Sequence, residues 1–249
     1  MGNGVPESET FDKFFESWLV EQNQFLHELI DARKHNANNT SSTGSSSSSN
    51  NQELGPLIDK VLQHYDKYHR TKSSWVKKDV LGMLSPSWRT RLEEAFLWIG
   101  GWRPSMAFHL VYSKSGLQLE ARLSELISGL STSDLGDLST NQLILVDELQ
   151  RITLREEKEI TRKMAKLQET VADSSMVELS HLETELIRSG GRQEEEAEQV
   201  ELTLVSKEKA LEEMLEKADD VRLRTLKEII GMLKPLQAVH FLIAVRSCT

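Results

Sequence analysis

The sequence predicts an all-α chain: a helical bundle of long amphipathic helices with one flexible Ser/Asn-rich loop. Three observations carry this. Apolar residues recur at three- and four-residue spacing through most of the 249 positions, and no segment alternates as a strand would. The 13 glycines and 5 prolines fall mostly between the periodic segments. Hydrophobic residues make up 38% and charged residues 28%, enough of each to bury a core and keep a solvated surface.

Residues 1–9 read as a disordered leader, and 10–249 as a single helical domain. Thr10 caps a helix from Phe11 to about His35. Its apolar face carries Phe11, Phe14, Phe15, Trp18, Phe25, Leu26, Leu29 and Ile30, and Gln22 breaks the stripe. Residues 36–52 are a low-complexity loop. They include five consecutive serines, Ser45 to Ser49, and such composition offers nothing to bury. Leu54 to about Lys72 is the next helix, and Trp75 to Leu84 a shorter one.

Ser85 then reads as an N-cap with Pro86 in the first helical position. The helix runs through Trp88, Leu92, Ala95, Phe96 and Ile99, and Gly100-Gly101 stop it. Pro104 opens a helix through Ser113, and Leu117 to Leu130 supplies another. Residues 131–139 form a polar loop whose last residue, Ser139, caps a long helix reaching Val171. Glu156, Glu157 and Glu159 there face Lys158, Arg162 and Lys163 across an exposed surface. Ser174-Ser175 opens a helix that ends at Gly190-Gly191. Arg192 to Val245 is helical almost throughout, with a break at Pro235.

The segment Ala95-Phe96-Leu97-Trp98-Ile99-Gly100-Gly101-Trp102-Arg103-Pro104 resembles the signature of the plant delay-of-germination (DOG) domain. That domain also forms the C-terminal half of TGA-type bZIP transcription factors. Phe15-Glu16-Ser17-Trp18-Leu19 is similar to its opening helix, and Leu62-Gln63-His64-Tyr65-Asp66-Lys67-Tyr68 to its "H-Y-D" helix. Leu143 to Glu148 and Pro235-Leu236-Gln237-Ala238 fit in the same order, so the resemblance covers roughly Thr10 to Val245. It implies a plant protein that acts in seed dormancy and germination, through abscisic-acid signalling or transcription regulation, in the nucleus or cytoplasm. It implies protein partners, of the type 2C phosphatase class or bZIP and other transcriptional regulators, and leaves a homo-oligomer open. The residues it points to are Trp18, Phe96, Trp98, Gly100, Gly101, Trp102, Arg103 and Pro104. The family also implies haem for some members, which makes His240 an axial-ligand candidate and a haem or amphiphile sensor an alternative function, beside a transcriptional cofactor that reaches DNA only through a bZIP partner; for His240 a hydrogen-bonded core histidine is the other reading. The family pattern continues past Val245 to a histidine- and tryptophan-containing end, whereas Arg246-Ser247-Cys248-Thr249 stand here.

The residues themselves point away from catalysis. There is no phosphate-cradling glycine loop, no G-x-S-x-G and no H-E-x-x-H. Glu178-Leu179-Ser180-His181 is one E-x-x-H with at best a loose second in Asp66 to His69, where a di-iron bundle needs two and further glutamates. His64 and His69 stand about 140° apart around a helix and share no ligand face. A net charge of −9 argues against direct nucleic-acid binding, and no basic region or zipper precedes Phe11. The single cysteine, Cys248, excludes an internal disulfide. No signal peptide is evident, and the apolar run Leu236 to Val245 is too short to span a bilayer. Between Lys67 and Arg103 eight basic residues face three acidic ones, a local patch that either attracts an anion or pairs locally. Trp98 and Trp102 flank the glycine pair. Either both rings lock the corner, or at least one is exposed as an anchor for a protein partner.

Overall fold

Thr10 starts the first helix through both of its oxygens. Its Oγ1 accepts from the Lys13 N–H at 3.5 Å and its carbonyl from the Phe14 N–H at 3.2 Å. The computed structural model describes residues 10–40, 47–121, 135–170 and 194–247, and, between 171 and 193, positions 177, 180, 181, 184 and 188. The helices are α1 (Phe11–Thr40), α2 (Ser47–Val76), α3 (Val80–Leu84), α4 (Arg91–Ala95), α5 (Met106–Ala121), α6 (Thr140–Glu169), α7 (Glu194–Met232) and α8 (Pro235–Ser247). A 3-10 turn, Leu135–Asp137, precedes α6. The architecture is all-α; among the described residues the only β-type pairing is an isolated bridge between Trp98 and Gly101. No helix among them is long and apolar enough to cross a membrane.

The chain forms two compact units. One comprises Met1–Lys72, Arg103–Thr153 and Arg222–Thr249; the other comprises Ser73–Trp102 and Leu154–Val221. In the first, α8 lies against α1, α5 and the 3-10 turn. Its joint is a pair of buried glutamines at the starts of two helices. Ser139 caps α6 as expected: its Oγ accepts from the Gln142 N–H at 3.2 Å, and Gln142 Oε1 accepts from the Ser139 N–H at 3.0 Å. Pro235 begins α8 because its missing N–H has no intrahelical partner there. Gln237, three residues beyond Lys234, accepts from the Lys234 N–H at 2.9 Å, which is half of the same capping arrangement. Gln142 Nε2 then donates to Gln237 Oε1 and to the carbonyl of Met232, both at 2.8 Å. Gln237 Nε2 donates to the Asp137 carbonyl at 3.0 Å. Two helix starts, the end of α7 and the 3-10 turn are thus tied at one point.

Several boundaries differ from those the sequence suggests. The 36–52 loop is narrower: α1 continues through Thr40 and α2 begins at Ser47, while 41–46 lie outside the described residues. Asn and Ser are weak helix formers but not breakers, and each added residue of an existing helix gains a backbone bond. The leader 1–9, residues 131–134 of the 131–139 loop and most of the Ser174–Gly191 helix also fall outside the described residues. Trp75 closes α2 rather than opening a new helix, and Asp79 caps α3 by accepting from the Gly82 N–H at 2.8 Å. The Ser85-Pro86 start does not occur. Ser85 ends α3, and α4 begins only at Arg91, because Thr90 and Glu93 form a complete capping box. That box satisfies two orphan N–H groups, which Ser85 followed by a proline does not match. Pro104 and Ser105 form a turn ahead of α5, which runs without a break through Ser113 to Ala121. Glu159 pairs with Arg162 and Lys163 as expected, whereas Glu157 is buried.

Replacing Gln142 by Ala strands the Met232 carbonyl and removes the side-chain half of the α6 capping box, while Ser139 Oγ keeps the backbone N–H of position 142. We expect a loss of about 2–3 kcal/mol in urea unfolding, since each buried polar group left without a partner costs about 1–3 kcal/mol.

Candidate functional site

The signature segment folds as a tight two-residue reversal. Ile99 (φ 44°) and Gly100 (φ 66°) both lie in the left-handed region, as a type I′ turn demands of its central pair. Trp98 N–H donates to the Gly101 carbonyl at 2.8 Å, and Gly101 N–H to the Trp98 carbonyl at 3.2 Å. Left-handed backbone costs an isoleucine roughly 1–2 kcal/mol. Packing of Ile99 against the cluster of Trp98, Ile160, Ala218 and Val221 offsets this. Trp98 is only 9% exposed, and its indole N–H donates to Thr161 Oγ1 at 3.0 Å, so the ring is held inside by both shape and polarity. A Cβ at Gly100 would lie 2.7 Å from the Met83 carbonyl and 2.8 Å from Leu215 Cδ1. Only glycine satisfies both the torsion and the space.

Beside this packed turn lies a helix with the opposite character. α4 buries none of its residues. Leu92 is 70% exposed, and Phe96, its C-cap residue four positions on, is 69% exposed. At that spacing the two share one ridge. What holds α4 is its cap: Thr90 Oγ1 accepts from the Glu93 N–H at 3.2 Å, and Glu93 Oε2 accepts from the Thr90 N–H at 2.8 Å. Burial works against ionisation of Glu93, but the Thr90 bonds and the charge of Arg89 together outweigh it and hold the carboxyl below its usual value.

In the other unit, the "H-Y-D" stretch ties α2 to its neighbours residue by residue. The Trp18 indole N–H donates to the His64 carbonyl at 3.1 Å, and His64 Nε2 donates to the Trp18 carbonyl at 3.2 Å. Their rings stack 4.8 Å apart and 1° from parallel. Gln22 Nε2 donates to the Tyr65 hydroxyl at 2.8 Å. Asp66 pairs with Lys227 at 2.7 Å, and Lys67 with Glu21 at 3.3 Å. Tyr68 packs on the rings of Phe11, Phe15 and Trp18. Burial pushes the Tyr65 phenol up to about 12. Burial also lowers the His64 pKa, outweighing the pull of the Glu21 carboxylate 3.3 Å from Nδ1. The sequence reading missed Gln22 as a tie. Its place on an otherwise apolar face was the only signal.

The structure separates the residues to which the resemblance points. Trp18, Trp98, Gly100, Gly101 and Pro104 are buried. Trp102 is part-buried, while Phe96 and Arg103 are exposed. His240 is part-buried on α8, and among the described residues no cluster of His, Cys, Asp and Glu could hold a metal ion. The basic patch disperses into local contacts. Lys67 and Lys77 pair with Glu21 and Glu216, Lys72 is 1% exposed, Lys78 lies over the Trp75 ring at 4.5 Å, and Arg89 reaches the Gly100 carbonyl.

Comparison with known proteins gives a consistent set of relatives. A family model described as "DOG1: Seed dormancy control" matches residues 27–113. The chain is 35% identical over 236 residues to Protein DOG1-like 4 of Arabidopsis thaliana, covering 95% of this chain and 87% of that protein. It is 28% identical over 239 residues to Protein ZW2 of the same plant, covering 94% and 91%. It is 27% identical over 245 residues to Transcription factor TGA2, also of Arabidopsis thaliana, covering 98% of this chain and 62% of the factor.

Two outcomes follow from the geometry. Gly100→Ala should lower stability by about 2–3 kcal/mol in chemical denaturation, from torsional strain together with the clash on Met83 and Leu215. Because burial holds the folded-state pKa of His64 below the ordinary histidine value of 6.5, its contribution is full above that pH and is lost as pH falls through the lower folded value. Stability should therefore decline as pH falls below about 6.5, ahead of the carboxylates, and His64→Gln should flatten that slope. An NMR titration of His64 with a midpoint at or above 6.5 would contradict this.

Proposed function

The chain belongs to the DOG1 seed-dormancy-control family, and from that premise we propose that it is a non-enzymatic regulator that works by binding a bZIP-type transcription regulator. The process is control of seed dormancy and germination, with abscisic-acid signalling as the input. The observation that carries the reading is the Leu92–Phe96 ridge on α4. A helix that buries nothing yet shows two large apolar side chains gains only when another surface covers it. The packed turn at Trp98–Gly101 holds the chain that follows the ridge, so the ridge is presented from a fixed base. Likeness to TGA2 over almost the whole of this chain supports a partner in transcription rather than a small molecule. The absence of an acid–base or nucleophile set in the sequence supports action without catalysis.

Binding of the purified chain to a TGA-type bZIP factor and to a type 2C protein phosphatase, measured side by side, tests this reading. Phe96→Ala should weaken the bZIP factor by about 2 kcal/mol, roughly thirty-fold, while the melting temperature barely moves, since Phe96 supports no core. Full affinity in the folded Phe96→Ala protein would remove the ridge from the interface. Binding to the phosphatase alone would move the proposal to that partner.

A further inference from the structure

We propose that Ser85 is a phosphorylation site for a proline-directed protein kinase, and that Arg89 receives the phosphate. The inference does not depend on the partner proposed above. Of the five prolines, Pro6, Pro56, Pro86, Pro104 and Pro235 follow Val5, Gly55, Ser85, Arg103 and Lys234. Ser85-Pro86 is therefore the one Ser/Thr-Pro pair in the chain. Ser85 is exposed, with φ −126° and ψ 70°, outside the helical region as a residue before proline is expected to be. Its N–H is used by the Leu81 carbonyl. It stands at the start of a six-residue stretch, 85–90, that joins two five-residue helices, α3 and α4. Ser85 is exposed at the start of this stretch, whereas Pro86, Trp88 and Arg89 are part-buried, so a kinase reaches it from the Ser85 end.

The receiving cation is close by. Leu84, next to Ser85, and Arg89 both lie against Gly100. A Cβ on Gly100 would sit 3.5 Å from Leu84 Cα, and Arg89 Nη2 is 3.5 Å from the Gly100 carbonyl. The Arg89 Nε is buried without a hydrogen-bond partner, and its Nη2 contact is at the long limit. The charge of Arg89 already acts on the Glu93 carboxylate, but its Nε and its weakly held Nη2 leave donor capacity that a phosphate would fill in a bidentate manner. Asp79, Glu93 and Glu94 are the acidic residues of the surrounding short helices and caps, and Arg91 adds a second cation. In the transfer, Ser85 Oγ attacks the γ-phosphorus of a nucleoside triphosphate. The Oγ–P bond forms, the bond from the γ-phosphorus to the β,γ-bridging oxygen breaks, the nucleoside diphosphate leaves, and the hydroxyl proton passes to the kinase's base. The product carries about −1.5 to −2 charges at the end of α3, beside Arg89.

The test treats the full chain with a recombinant mitogen-activated or cyclin-dependent kinase and ATP, followed by intact mass and peptide mapping. One phosphate on Ser85 is expected, with no incorporation there in Ser85→Ala and a loss of at least about tenfold in rate in Pro86→Ala, since the proline is what such a kinase selects. Equal labelling of the Ser85→Ala chain, or none of the wild-type chain, would overturn the site. The Arg89 contact is read separately by phosphorus NMR titration of the phosphorylated chain. The second phosphate pKa should fall below its ordinary value of about 6, and Arg89→Gln should return it there. Coincident titrations in the two chains would overturn the part assigned to Arg89.

Discussion

The reciprocal pair of Trp18 and His64 fixes how α1 lies on α2. Each ring donates to the other residue's backbone carbonyl, and the two rings are parallel at 4.8 Å. A slide of one residue along either helix would break both bonds and the stack together, because helical neighbours turn by about 100°. The remaining ties follow from that register. Gln22 comes opposite Tyr65, Glu21 opposite Lys67, and Tyr68 meets Phe11, Phe15 and Trp18. The His64 proton on Nε2 is assigned by the carbonyl it faces, since a carbonyl can only accept. Its Nδ1 then looks towards the Glu21 carboxylate, which draws a proton to it, while burial resists the charge more strongly. The pair is therefore built for the neutral ring.

The Gln142–Gln237 bond does comparable work at the other side of the same unit. Capping glutamines ordinarily sit in solvent at helix starts. Here both are buried, and their amides satisfy each other after satisfying their own helices. Each amide has an obligatory donor and acceptor, so the arrangement is directional in a way an apolar contact is not. It defines where α7 ends, where α8 begins and where the 3-10 turn sits, through the carbonyls of Met232 and Asp137. α8 can then carry a nearly all-apolar sequence and still take one orientation.

These two joints show what was legible in the sequence. Local chemistry was: Thr10 and Ser139 as caps and Pro235 as a break are decided within four or five positions, whereas Gly100, expected to stop a helix through Ile99, instead forms a turn beyond a helix that ends at Ala95. The residues of the "H-Y-D" stretch could be recognised as a pattern, but not why each is needed, because their partners Trp18, Glu21 and Gln22 lie more than forty positions away. The Ser85-Pro86 start failed because two cap signals compete within six residues, and Thr90 with Glu93 forms the stronger reciprocal one. Charge counting left two readings open for a related reason. Eight basic residues in a window say nothing of Lys72 being buried or of Lys67 and Lys77 having acidic partners in other helices. Trp18 and Trp98 also illustrate a limit. An aromatic motif marks a place where geometry is demanding, and here the demand is met inside the molecule.

The contrast between the Trp98–Gly101 turn and α4 is the basis for assigning recognition to one and support to the other. The turn is specified by torsion, by space and by hydrogen bonds at once, so no single solvent fluctuation releases it. α4 is specified by one capping box and by no burial. A short helix held in this way opens at a small fraction of the free energy of the whole fold. Its apolar ridge can therefore reshape against a partner without disturbing the core, and a charge placed at the preceding linker can alter its population. A surface of this kind needs a rigid neighbour, because a mobile helix on a mobile base would lose in ordering what it gained in contact. The Trp98–Gly101 turn supplies that base here, and the exposed Leu92 and Phe96 sit on the segment leading into it.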